Sequence, residues 1–152
     1  MNPSIPDDLQ ERLDTTVAAL NALIAGDPAP FNALWSHEPD VTVLGGFGGW
    51  AVGLDQVTHN TTWAASRFHG GRNFGVELLA TGASGDLAYA IWIERGEMRV
   101  AGRDDFAPIT IRVTLIFRCE NGEWKLIHRH GDPVVDKTEP GNMTRLRQEV
   151  MA

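Results

Sequence analysis

The dipeptide Asn121-Gly122 limits this chain more than any other feature. It separates two runs of alternating character, Arg112 to Glu120 and Glu123 to Asp132. The two-residue turns that match the right-handed twist of paired strands need positive φ at one or both central positions, and Asn-Gly adopts such a turn at low cost. A β-hairpin is therefore predicted. With unbroken alternation, Phe117 lies opposite Leu126, Leu115 opposite His128 and Val113 opposite His130. Trp124, Leu126, His128 and His130 then share one face. Arg112, Thr114, Arg118, Lys125, Ile127 and Arg129 share the other, as a solvated or partner-facing row. A β-bulge near Gly131 would change this parity and turn Arg112 or Asp132 inward.

The chain upstream divides by period. Leu9, Leu13, Val17, Leu20 and Ile24 recur at helical spacing behind Asp7 and Asp8, and Gly26 ends that helix. Asp27-Pro28 starts a short second helix whose buried side is Phe31, Leu34 and Trp35. Val41 to Leu44 reads as a short strand, and Gly45-Gly46-Phe47-Gly48-Gly49 as a tight corner leading to Trp50-Ala51-Val52. No Lys-Ser/Thr follows those glycines, so they do not form a phosphate cradle. Gly53 to Phe68 is a third helix, with His59 and Trp63 four apart on a stripe of their own and Gly70-Gly71 as its end. Arg72 to Ala83 and Asp86 to Val100 alternate over lengths typical of long strands. In the second, Ala88, Ala90, Trp92 and Glu94 point one way and Leu87, Tyr89, Ile91 and Ile93 the other. Both faces are largely apolar, so both need a cover: the helices on one, a second copy of the chain on the other. Helices gathered on one face of a curved antiparallel sheet make an α+β fold: three N-terminal helices, four long strands and a short hairpin. Residues 1–135 form one domain, and 136–152 a tail that is a short helix or disordered.

The 20 acidic against 13 basic residues give a net charge of -7, which argues against a nucleic-acid partner. A single cysteine, Cys119, rules out an internal disulfide, which agrees with a reducing compartment. No apolar run is long enough to span a membrane, so a cytoplasmic protein is expected. Cys119 has no base marked beside it as a thiol nucleophile, and neither a serine elbow nor a dinucleotide-binding glycine pattern occurs. No cofactor is expected.

The helix–helix–strand–helix start, followed by Arg112 to Arg118 and then Gly122, Trp124, His128 and His130, resembles the nuclear transport factor 2-like superfamily. Its SnoaL-like and ketosteroid-isomerase-like bacterial members are the most similar in pattern, as is the association domain of calmodulin-dependent kinase. The resemblance implies a cystatin-like cone, usually a homodimer, with a pocket between the concave sheet and the helices. It does not imply one activity, since isomerases, dehydratases, polyketide cyclases and non-catalytic scaffolds share the shape. The chain departs from ketosteroid isomerases where their general-base aspartate stands. Gly45 occupies that place, and the nearest acid, Asp40, lies before the strand.

The candidate chemistry is a proton-transfer site. His128 and His130 end the last strand, and Glu94 is expected across from them on the concave side. A carboxylate orients an imidazole, and an imidazole near its ordinary value can exchange a proton at neutral pH. Trp50, Trp63, Trp92, Leu115 and Phe117 would wall a pocket for a small apolar, cyclic or carbonyl-bearing molecule, with Arg112 and Asp132 at its edge. The His-x-His spacing with Glu94 also matches a zinc or iron ligand set, although nothing else in the sequence requires metal. Two histidines at a strand end are equally readable as hydrogen-bonded structural residues. A binding or assembly module without catalysis is the rival reading.

Overall fold

The computed structural model describes residues 5–134; the predicted tail at 136–152 lies outside them. Three helices, α1 (Asp7–Ile24), α2 (Ala29–Asn32) and α3 (Leu54–Ala65), accompany six strands. The strands are β1 (Thr42–Leu44), β2 (Ala51–Val52), β3 (Phe68–Ser84), β4 (Leu87–Val100), β5 (Ala107–Glu120) and β6 (Glu123–Pro133). They form one curved, open sheet in the order β2-β1-β6-β5-β4-β3. The short hairpin predicted as a separate piece is thus part of the main sheet. β1 joins it by running parallel to β6, with Thr42 beside His128 and Leu44 beside His130.

The α1 stripe is buried at Leu9, Leu13, Leu20 and Ile24, each such leucine contributing roughly 1.5–3 kcal/mol relative to an exposed one. α2 is capped by its predicted aspartate, since the Ala29 amide donates to Asp27 Oδ1 at 3.0 Å. α3 ends earlier than its pattern predicts. Phe68 already belongs to β3, so Gly70 and Gly71 lie in a strand rather than at a helix terminus. β4 and β5 are joined by a short polar segment, residues 101–106.

The core lies between the helices and the concave face of the sheet. Trp35 is completely buried there, with the Phe31 ring edge-on at 6.2 Å. The backbone around it docks on β6: Leu126 N–H donates to Leu34 O at 2.8 Å and Ser36 N–H to Leu126 O at 2.9 Å. Ser36 donates to Glu120 at 2.7 Å, and Arg118 donates to Asp40 at 2.7 Å, clasping the α2–β1 loop to β5. The hydrogen bond from Arg118 holds the Asp40 carboxyl below the usual carboxylate range.

β4 alternates as predicted. Ala88, Ala90, Trp92 and Glu94 are buried, while Leu87, Tyr89 and Ile91 are exposed on the convex side. The hairpin turn forms at Asn121-Gly122 with φ of 51° and 82°. Phe117 does pair with Leu126, but the register then shifts. Ile127 has no partner, His128 pairs with Ile116, Arg129 with Leu115, His130 with Thr114 and Gly131 with Val113.

Candidate functional site

That one extra residue decides which side chains face the helices. An unpaired residue in a two-residue period exchanges the faces of everything beyond it. The bulge is at Ile127, not near Gly131, and it turns Arg129 inward. His128, His130, Asp132 and Arg112 go to the convex side, opposite the placement predicted for the two histidines. Arg129, expected in a solvated row, is largely buried, with a side chain only 13% exposed.

Inside, Arg129 meets Glu94, which is 3% exposed. Arg129 Nη1 donates to Glu94 Oε1 at 2.7 Å and Nη2 to Oε2 at 2.9 Å, and Trp92 Nε1 donates to Oε1 at 2.9 Å. Such a forked pair is among the stronger charge-assisted contacts. Gly131 leaves room for it, since a Cβ there would sit 3.3 Å from both Arg129 Nη2 and Ile111 Cγ2. A guanidinium has five N–H donors, so three of Arg129's remain uncommitted among the described residues.

The pair lines a cavity of about 120 Å3 beneath the helices. Its walls are apolar: Leu20 and Leu23 from α1, Phe31 from α2, Val43 from β1, and Met98 and Ile111 from β4 and β5. Asn60 and Thr61 of α3 add polar atoms, and Gly45, Gly46, Phe47 and Gly48 close one side. Phe47 is 53% exposed, with its ring 5.3 Å from Trp63 and 5.7 Å from Phe68. Gly45 lines the cavity where the isomerase aspartate was sought, and Asp40 is occupied with Arg118.

The other predicted walls divide between core and surface. Trp92, Leu115 and Phe117 are completely or almost completely buried and are core rather than cavity lining. Trp50 and Trp63, 78% and 41% exposed, flank a separate open cleft along α3 with Asp55, Gln56 and His59; Asn60 borders both spaces. On the convex side, His130 Nε2 donates to Asp132 Oδ2 at 2.7 Å, and His128 Nδ1 is hydrogen-bonded to Thr42 Oγ1 at 2.7 Å. Burial, and then the neighbouring His130, hold the His128 imidazole below its ordinary value. The two rings are 6.5 Å apart, and the sheet separates them from Glu94. The expected Glu94–imidazole pair is therefore not formed. No three His, Cys, Asp or Glu converge as metal ligands among the described residues, which undoes the His-x-His ligand set with Glu94.

Arg129, Asn60 and Phe47 escaped the reading of the sequence. A signal for Arg129 existed: a carboxylate on the buried face of β4 demands a buried cation, and strict alternation of β6 offered only neutral or titrating imidazoles.

Comparison with known proteins agrees with this architecture. No curated protein matches the sequence. Among solved structures, a ketosteroid isomerase-like protein from Erwinia carotovora atroseptica superposes with a TM-score of 0.71 at 16% identity, covering 86% of this chain and 99% of that one. A nuclear transport factor 2-like superfamily protein from Salmonella enterica serovar Typhimurium gives 0.69 at 18% identity, over 88% and 93%. A cystatin-like protein of uncharacterised role from Caulobacter vibrioides gives 0.62 at 19% identity, over 91% and 93%. No helix among the described residues is long and apolar enough to cross a membrane. The SnoaL-like domain family matches residues 13–136, nearly the whole described chain, and with the cone of helices on a curved sheet this makes the protein a SnoaL-like member of the nuclear transport factor 2-like superfamily.

Proposed function

We propose that the protein takes one small, largely apolar molecule into the cavity beneath its helices and moves a proton on it, as an isomerase, dehydratase or cyclase that needs no cofactor. The observation that carries this reading is the composition of the cavity. Its walls are largely apolar, and the polar side chains among them are few: Glu94, Arg129, Asn60 and Thr61. Such a space binds an apolar body and orients a single polar group. Glu94 is the one carboxylate in its lining. With three donors on its two oxygens, a lone pair at Oε2 stays free to receive a proton from a carbon next to a carbonyl. The free donors of Arg129 and the Asn60 amide would hold the oxyanion that forms, and the proton returns from Glu94 to complete the cycle. The likeness to a ketosteroid isomerase-like protein supports this class of chemistry.

The test is deuterium incorporation into cyclohexanone in heavy water, followed by NMR. Wild-type protein should accelerate exchange of the protons next to the carbonyl. Glu94→Gln should slow it about 10²–10⁴-fold, the usual worth of a general base. Ala64→Phe, which places a ring in the cavity, should abolish it. Equal rates for wild type and both variants would sink the proposal.

A second reading concerns the convex face. Leu87, Tyr89 and Ile91 are 47%, 44% and 37% exposed in one row of β4, and scattered single residues would not need a cover but a row does. This supports a homodimer through the outer face of the sheet. Tyr89→Lys with Ile91→Lys should halve the mass measured by sedimentation and leave the cavity intact. A monomeric wild type at micromolar concentration would end this reading, while the cavity proposal would stand.

A further inference from the structure

Building on the cavity reading above, we propose that the cavity selects its ligand by charge: it takes an uncharged molecule of about benzene's size bearing a hydrogen-bond-accepting carbonyl, and rejects carboxylates and ammonium ions of the same shape. The volume sets the size, since about 120 Å3 is close to the ~150 Å3 of an apolar cavity that holds benzene. A fused polycyclic body is larger than this space.

The charge argument rests on the ion pair. Arg129 and Glu94 neutralise each other through two short bonds, and no other charged side chain lines the cavity. An ion entering this space gives up its hydration and finds no unpaired countercharge to replace it. An anion is further kept from the guanidinium by the Glu94 carboxylate, which already occupies its fork. A cation fares no better, because the guanidinium itself forms part of the wall.

Hydrogen-bond capacity then favours an acceptor over a donor. Three Arg129 N–H groups and the Asn60 amide offer donors, against one free lone pair on Glu94 Oε2 and the Asn60 carbonyl. A carbonyl oxygen satisfies the surplus; an amine or ammonium increases it. The Phe31 ring, 5.9 Å from the Arg129 Cζ, adds a cation–π contact to the two Glu94 bonds that position the guanidinium.

The test uses three probes with one ring: cyclohexanone, cyclohexanecarboxylate and cyclohexylammonium. Binding to the full-length protein at pH 7 is measured by ligand-observed NMR titration, which does not depend on turnover. Cyclohexanone should bind at least tenfold more tightly than either ion. Glu94→Gln unmasks the guanidinium, so the carboxylate should gain tenfold or more and become the preferred probe. Arg129→Gln should shift preference toward the ammonium ion. A wild type that prefers either ion, or a folded Glu94→Gln variant with unchanged rank order, overturns the charge selection while leaving the cavity reading in place. Absence of binding by all three probes to folded wild type overturns both. Should either variant fail to fold by circular dichroism, the wild-type rank order decides alone.

Discussion

Arg129→Met is expected to destabilise the protein by about 3–5 kcal/mol, because it leaves the Glu94 carboxylate buried with only the Trp92 indole for a partner. For a chain of this length that corresponds to a fall in Tm on the order of 6–20 °C. Removing both charges tells a different story. In Glu94→Leu with Arg129→Met, neither ion is left unpaired, and an apolar pair of similar volume is often as stable as the ion pair it replaces. The double variant should therefore recover most of the loss. Denaturant unfolding of the two single variants and the double closes the cycle. If Arg129→Met unfolds within about 1 kcal/mol of wild type, water reaches the carboxylate and the site is wetter than its 3% exposure implies. Retention of so costly a pair inside an apolar cavity is itself an argument for function. Stability alone would be served as well by two aliphatic side chains.

The second large effect concerns strand parity. Deleting Ile116 should abolish cooperative folding, whereas deleting Ile127, across the same bulge, should leave a folded protein. Ile116 is a paired residue in β5, and its loss exchanges the faces of everything before it. Val113 and Leu115, 3% and 0% exposed, would turn outward, and Thr114 and Arg112 would turn into the core. The two apolar losses alone are worth roughly 1.5–3 kcal/mol each, and a buried unpaired guanidinium adds several more. Together they exceed much of the ~5–15 kcal/mol that holds a typical domain together. Ile127 is the residue without a partner. Without it, Leu126 still faces Phe117 and Arg129 still faces Leu115. Circular dichroism and thermal unfolding of the two deletions distinguish the cases; collapse of the Ile127 deletion along with the other would mean that the bulge does not set the register.

This contrast shows why the site was harder to read than the fold. A two-residue period is a local property, and it correctly sorted β4 into buried Ala88, Ala90, Trp92 and Glu94 and exposed Leu87, Tyr89 and Ile91. The same rule on β6 was right up to Leu126 and wrong beyond it. Imidazole and guanidinium are both polar, and nothing in Leu126-Ile127-His128-Arg129-His130 marks which residue the ladder skips. Glu94 was found because it stands on a strand of unbroken alternation opposite β5. His128 and His130 were misplaced because they stand past a break.

The sequence by itself determined the elements, their order, the hairpin at Asn121-Gly122, the amphipathic stripe of α1, and hence a family whose shape follows from those elements. These follow from short-range physics: periodicity, capping, and the conformational freedom of Asn-Gly. Only the tertiary structure decided that β1 pairs in parallel with β6, that Ile127 bulges, and that Arg129 rather than a histidine answers Glu94. Those outcomes depend on contacts between residues far apart in the chain. A bulge forms where a curved sheet must satisfy two neighbouring strands at once and a buried carboxylate must find its cation, and neither demand is written in the segment that bends.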